Sequence, residues 1–121
     1  MEDGYFETDL GGNFTFVNEA ECRNLGYTHD ELIGMNRHQY TDEKNAKLLF
    51  HLFNGVYRTG EPVKAHDLEV ISKDGTKLFN EISVSLIRDT QGEPIGFRGI
   101  ARDVTERKMQ EEKIQYMATH D

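Results

Sequence analysis

Residues 77–88 form the most regular segment of the chain, because residues that suit a buried face alternate with polar residues. The first set is Asn80, Ile82, Val84 and Leu86. The second set is Glu81, Ser83 and Ser85. A period of two predicts a long β-strand with one face against a core and the other toward solvent. Such a strand belongs to an antiparallel sheet that is covered on one side.

Turn residues divide the rest of the chain into further strands. The predicted strands are residues 5–8, 13–17, 63–72 and 95–102. Gly11 and Gly12 supply the positive φ angles of a hairpin between the first two. Lys73-Asp74-Gly75 gives a turn before residues 77–88, and a further turn follows at residues 89–94.

Two short helical segments follow the first hairpin. Asn18 precedes the first segment and Glu21 comes three residues later, which predicts a capping box. Thr28 and Glu31 repeat the pattern at the second segment.

The long helix is predicted over residues 42–59, because Gly60 and Pro62 behind it are stop signals. Apolar residues recur along one stripe of this helix, which predicts that the stripe packs in the core. The stripe consists of Ala46, Leu49, Phe50, Phe53, Val56 and Tyr57. His51 falls roughly opposite the stripe, so we expect it to face solvent. With a polar helix after residue 103, the order of segments indicates an α+β fold.

Charge and composition exclude several classes of function. The chain has 14 Lys and Arg against 22 Asp and Glu, a net charge of −8, and no basic cluster, so we expect no nucleic-acid partner and no membrane contact. No apolar run approaches the roughly 20 residues that span a bilayer. The single cysteine, Cys22, excludes an internal disulfide. No phosphate loop, nucleophile elbow or His–Glu metal motif is present, so we expect no enzyme and no metal site.

Several short motifs, taken in order, resemble those of PAS sensory domains. The motifs are Asn18-Glu19-Ala20, Leu25-Gly26-Tyr27, residues 31–34, residues 73–76 and residues 99–107. The resemblance covers residues 4–105 and implies a five-stranded antiparallel sheet with short helices and one long helix on one face. It further implies a non-catalytic sensor and dimerisation module, so we expect a homodimer. Residues 1–105 would be the PAS domain, and residues 106–121 a signalling helix that leads to a missing output domain.

The end of the last strand resembles the family's signal junction, with Asp103, Thr105 and Arg107 as its residues. Asp103 and Thr105 also suit the start of a helix, where they cap it and complement its dipole. We expect Asp103 to pair with Arg107 across the first helical turn.

The last residues, Ala118-Thr119-His120-Asp121, resemble the lead-in to a GGDEF domain, the diguanylate cyclase module. The resemblance implies a PAS-linked cyclase, with the output domain in the same chain and in the cytoplasm. A sensor histidine kinase and a ligand-free dimerisation module are the alternatives. Because both ends look cut, we expect the chain to be a piece of a longer protein.

The resemblance to PAS domains raises the question of a cofactor. Cys22 lies before the Gly-Tyr turn, whereas the reactive cysteine of light-sensing LOV relatives follows it, and Arg37 stands in that later position. Val70 and Ala101 stand where those relatives have a flavin-binding Asn and Gln. We therefore expect no cofactor, with flavin or a small organic ligand as the remaining possibilities, and a buried, inert Cys22. His51, which faces solvent, does not suit haem.

Asn80 is the polar residue of greatest interest, because it is the one amide in the inward-facing set of its strand. A buried amide needs a hydrogen-bond partner, which could be the backbone, a water or a small polar ligand. The ligand-binding residues that we predict are Asn80, His66, Phe53, Ile82 and Ala101.

Overall fold

The computed structural model describes residues 2–120, without the side chains of residues 116 and 118–120. The cyclase-like Ala118-Thr119-His120-Asp121 therefore lies outside the described side chains. One antiparallel sheet holds five strands in the order β2-β1-β5-β4-β3. The strands are β1 (Gly4–Asp9), β2 (Phe14–Val17), β3 (Val63–Ile71), β4 (Lys77–Arg88) and β5 (Pro94–Asp103).

Four α-helices accompany the sheet, and a 3-10 turn, Arg37–Gln39, precedes the longest of them. The helices are α1 (Glu19–Leu25), α2 (His29–Leu32), α3 (Glu43–Thr59) and α4 (Thr105–His120). The predicted α+β class and the five-stranded antiparallel sheet are confirmed. Among the described residues, none of these helices has the length and apolar character that crossing a bilayer requires.

The first and last strands pair in the middle of the sheet. Gly4 on β1 lies opposite Ala101 on β5, and the pairing continues to Asp9 opposite Gly96. At Gly99 the ring of Phe6 covers the Cα so closely that an added Cβ would lie 2.2 Å from a ring carbon. The first and last strands of the chain therefore lie next to each other at the centre of the sheet.

The buried stripe of α3 is narrower than the sequence pattern suggests. Its buried apolar residues are Ala46, Leu49, Phe53 and Val56. Phe50 and Tyr57 are each 49% exposed, so their predicted place in the core is wrong. Both lie at the edge of the stripe, and the guanidinium of Arg37 covers the Phe50 ring at 5.1 Å.

Of the two hydrogen bonds in the capping box predicted at α1, one forms and the other is replaced by a bond to β1. Asn18 Oδ1 accepts a hydrogen bond from the Glu21 backbone N–H at 2.9 Å, as a cap should. The Asn18 backbone N–H, however, donates to the carbonyl of Tyr5 on β1 at 3.0 Å. That donor is the one Glu21 would need for a capping box, so the Glu21 side chain turns inward instead. The box of Thr28 and Glu31 at α2 is complete.

Candidate functional site

A small cavity lies between the inward face of the sheet and the helices α1 and α3. All five strands contribute to its wall, which consists of Phe6, Phe14, Glu21, Leu25, Tyr40, Leu49, Leu68, Val70, Asn80, Ile82 and Ala101. Its volume is about 20 Å³, roughly the room that one water molecule needs. Eight of these residues are apolar, so each polar group at the wall has an unusual environment.

Glu21 places a carboxylate from α1 at this wall. The residue is 2% exposed. Its carboxylate lies over Gly4, where an added Cβ would come within 3.0–3.2 Å of the carboxylate atoms. Burial raises the pKa of Glu21 from 4.5 to about 7, and no cation among the described residues opposes that rise. A carboxyl group therefore stands uncompensated in an apolar cavity.

Asn80 enters the same cavity from β4. The residue is 3% exposed, and its Oδ1 has no hydrogen-bond partner among the described protein atoms. A buried acceptor without a partner costs about 1–3 kcal/mol. Asn80 Oδ1 is thus an acceptor available to a donor that enters the cavity.

Tyr40 is the third polar residue of the wall. Its ring stacks on Phe14 with 5.2 Å between the centroids, which fixes the ring in the core. Burial, followed by the negative charge of Glu21, raises the pKa of the Tyr40 hydroxyl far above its usual value. The hydroxyl therefore stays protonated and can donate as well as accept a hydrogen bond.

The cavity brings together three of the five predicted ligand-binding residues, namely Asn80, Ile82 and Ala101. Phe53 is buried elsewhere, because its ring packs on Phe97 at 4.7 Å under a separate surface groove.

His66 is also outside the cavity wall. It lies beside a bulge of β3, where the register shifts between Val63 and His66 and Ala65 has a φ of 52°. The His66 Nδ1 instead lies 2.9 Å from the carbonyl oxygen of Asp67. His66 lies after the bulge and opposite Ile82 on β4, so it shares the face of Leu68 and Val70, but it stands beyond the cavity wall.

The wall does not suit flavin. Val70 and Ala101 line the cavity but offer no amide, and the volume is far below that of a three-ring system. Arg37 turns away toward the β1–β2 hairpin, with 3.4 Å from its Nη1 to the carbonyl oxygen of Gly11. His51 is exposed, which agrees with its predicted orientation. Among the side chains that the structure describes, no group of three His, Cys, Asp or Glu is placed to hold a metal ion.

Cys22 is half-buried rather than fully buried. Burial and the nearby charges of Glu21 and Glu19 raise the pKa of its thiol. The thiol therefore has little thiolate character at neutral pH.

The junction between β5 and α4 is held by β4. Asp103 Oδ1 accepts hydrogen bonds from the Thr105 hydroxyl at 2.6 Å and from the Thr105 N–H at 3.0 Å. Thr105 Oγ1 in turn accepts from the Phe79 N–H at 2.9 Å. The Val104 N–H donates to the Phe79 carbonyl at 2.8 Å. Phe79 is the residue directly before Asn80, so the start of α4 is attached to the strand that lines the cavity.

The prediction that Arg107 pairs with Asp103 is wrong. Its guanidinium lies 3.5 Å from a carboxylate oxygen of Glu81 and 3.6 Å from one of Glu111. The Asp103 carboxylate is already used by Thr105, whereas Glu81 follows Asn80 on β4 and faces the helix. Each of these partly exposed pairs contributes about 0.2–1 kcal/mol.

Glu21 is the functional candidate that the sequence analysis did not identify. The predicted capping box with Asn18 assigned the Glu21 side chain to the start of α1, at the surface. A second signal was available, because Glu21 lies four residues before Leu25 and so shares its face of α1. Both side chains line the cavity.

Comparison with known proteins gives one family and several relatives. The profile of a family described as PAS domain matches residues 2–106. A probable diguanylate cyclase of Escherichia coli (strain K12), DgcE, is 28% identical over 110 residues, which cover 88% of this chain and 10% of that protein. Sporulation kinase C of Bacillus subtilis (strain 168) is 22% identical over 121 residues, which cover 94% of this chain and 26% of that protein.

A solved structure has the same fold at low sequence identity. The PAS domain of a protein from Colwellia psychrerythraea superposes with a TM-score of 0.78 at 20% identity, over 86% of this chain and 87% of that one. The chain thus spans about a tenth and about a quarter of the two curated relatives, but nearly the whole of this solved domain.

Proposed function

Because this chain belongs to the PAS domain family, whose members are sensory input domains of signalling proteins, we propose that its cavity senses a small ligand. The ligand state is relayed through β5 and α4 to an output domain. The chain itself carries out no catalysis in this proposal, and the protein acts in the cytoplasm. One observation supports the relay above all others, namely that β4 contacts both the cavity and the start of α4.

The relay follows from the alternation of β4. Asn80 faces the cavity, while its neighbours Phe79 and Glu81 bind Thr105 and Arg107 at the helix start. A shift of Asn80 toward a ligand moves the same short piece of backbone that carries α4. The first turn of α4 would then tilt or rotate relative to the sheet.

A diguanylate cyclase is the proposed output. The similarity to the Escherichia coli protein and the cyclase-like residues 118–121 support it. A histidine kinase is the second candidate, because the Bacillus subtilis kinase aligns with 94% of this chain.

The output can be tested on the full-length protein that contains this chain. Incubation with GTP should give a cyclic dinucleotide, and incubation with ATP should leave no phosphohistidine. Phosphohistidine without GTP turnover would replace the cyclase by the kinase. Neither reaction would exclude both outputs.

The relay can be tested by a double-mutant cycle in the same protein. Asn80→Leu should change the output activity in the wild-type background and change it less when Thr105 is replaced by Val, because that variant has lost the hydrogen bond from the Phe79 N–H and keeps the bond from the Val104 N–H to the Phe79 carbonyl. Glu106→Gln, at an exposed neighbouring position, is the control background. Equal effects of Asn80→Leu in all three backgrounds would refute the relay.

We further propose a homodimer that pairs through the outer face of the sheet. Tyr5 and Phe16 make an edge-on ring contact at 5.9 Å, and Ile100 lies opposite Tyr5 on β5. Phe16 and Ile100 are nearly half exposed, so an apolar patch crosses three neighbouring strands. Light scattering should give a dimer for the wild type and a monomer for Phe16→Ser with Ile100→Ser. A monomeric wild type would refute this part of the proposal.

A further inference from the structure

The polar groups of the cavity define the chemistry of a ligand, provided that the proposed sensory function holds. Glu21 in its ionised form presents a carboxylate and Asn80 presents an amide oxygen, and both are hydrogen-bond acceptors. Asn80 Oδ1 has no partner among the described protein atoms, and burial is the sole cause that shifts the pKa of Glu21. These two groups therefore call for donors on the ligand, while the Tyr40 hydroxyl at the same wall can donate as well as accept.

The carboxylate also selects for charge. An ionised carboxylate in an apolar environment is costly unless a cation pairs with it. No lysine or arginine lines this cavity. An ammonium group would supply the missing positive charge together with the donors.

The register of the sheet sets the spacing of the two acceptors. Glu21 lies over Gly4 on β1, which is opposite Ala101 on β5, and Ala101 is opposite Ile82 on β4. Asn80 is the next inward residue of β4. Two strand spacings and two residues along β4, together about 12 Å of backbone, separate Gly4 from Asn80. Since both side chains reach inward, the gap between their tips is shorter and suits a chain of a few atoms.

We propose that the cavity binds a small, slender molecule with a protonated amine at one end and a second hydrogen-bond donor at the other. The amine contacts the Glu21 carboxylate, and the second donor contacts Asn80 Oδ1. The volume of about 20 Å³ holds about one non-hydrogen atom, so the apolar wall must yield as the ligand enters. Leu25 on α1 and Leu49 on α3 are the apolar wall residues that the helices contribute, opposite the sheet.

Three probes of equal length separate charge from shape: 3-amino-1-propanol, 1,3-propanediol and 3-hydroxypropionate. Each is titrated into this chain at neutral pH while amide shifts are followed by two-dimensional NMR. The amino alcohol should bind about tenfold more tightly than the diol, and the acid should not bind. The shifts should centre on the amides of Gly4, Asn80 and Ala101.

Two variants assign the contacts. Glu21→Gln keeps the shape of the side chain, and it should remove the preference for the amine so that amine and diol bind equally. Asn80→Leu should weaken the amine and the diol by a similar factor. Glu19→Gln removes one negative charge from the same helix at a side chain that is 96% exposed, and it should leave the preference unchanged.

Several outcomes would overturn the proposal. One is tighter binding of the acid, and another is an unchanged preference in Glu21→Gln. A third is amine-induced shifts confined to surface acids, as a net charge of −8 could cause. These results concern the ligand class alone, because the cycle of Asn80 and Thr105 tests the relay without any ligand.

Discussion

Replacing Glu21 by Gln should make the domain more stable at alkaline pH and leave its stability nearly unchanged at acidic pH. Gln has the same shape but no charge, so it retains the packing against Gly4 and removes the cost of a buried carboxylate. In the wild type the pKa of Glu21 is raised from 4.5 to about 7 by burial. The folded state therefore holds a proton that the unfolded chain has already lost between these two values.

The magnitude follows from linkage. A rise from 4.5 to about 7, at about 1.4 kcal/mol per pKa unit, corresponds to about 3 kcal/mol. Because the folded-state pKa is raised, this stability is fully present below pH 4.5 and is lost as the pH rises to about 7. Tyr40, the other titratable group at the cavity, stays protonated throughout this range. Above pH 7 the variant should exceed the wild type by about 3 kcal/mol.

Urea unfolding of both proteins at about pH 4, 5, 6, 7 and 8 measures the effect. With an m value of about 1–2 kcal/mol/M, the midpoints should differ by about 2 M at the alkaline end and nearly coincide at the acidic end. Glu19→Gln is the control, and its difference from the wild type should stay small at every pH. A difference between Glu21→Gln and the wild type that does not vary with pH would refute the buried, proton-binding carboxyl.

Three further predictions concern stability and order. Asn80→Leu should raise the free energy of unfolding by about 1 kcal/mol, because it removes an unpaired buried acceptor. A melting temperature below that of the wild type in calorimetry would contradict this prediction. Gly99→Ala should destabilise by about 1–3 kcal/mol, since the methyl group collides with the Phe6 ring, and an unchanged urea midpoint would contradict the contact. Thr105→Val should cost about 1 kcal/mol and speed hydrogen exchange in the first turn of α4, because the hydrogen bond from the Phe79 N–H to Thr105 Oγ1 is lost. Unchanged exchange would argue against the junction.

The sequence predicted those parts of the fold that depend on local patterns. The alternation along residues 77–88 predicted the bounds of β4, and the stop signal at Gly60 predicted the end of α3. The predictions failed where a distant partner decides the outcome. Phe50 has helical spacing that suits a core position, but its side chain lies at the edge of α3, where Arg37 packs on the ring and leaves the residue 49% exposed.

The candidate site shows the same division. The inward direction of Asn80 follows from the period of its strand, whereas the inward direction of Glu21 depends on a long-range bond. The Asn18 N–H is occupied by Tyr5, thirteen positions earlier, and only the assembled sheet reveals this. Likewise, Arg107 pairs with Glu81 because β4 and α4 meet in space, and spacing along α4 alone suggested Asp103.

The pairing of Gly4 with Ala101 determines how the domain attaches to the rest of a polypeptide. Opposed residues of antiparallel strands lie about 5 Å apart, so the polypeptide enters and leaves at almost the same point. Any sequence placed before Gly4 would lie beside the start of α4. The polypeptide would then pass along one side of the domain. Inserting such a domain into a polypeptide would therefore add little more than the length of α4 to the path between the segments on either side.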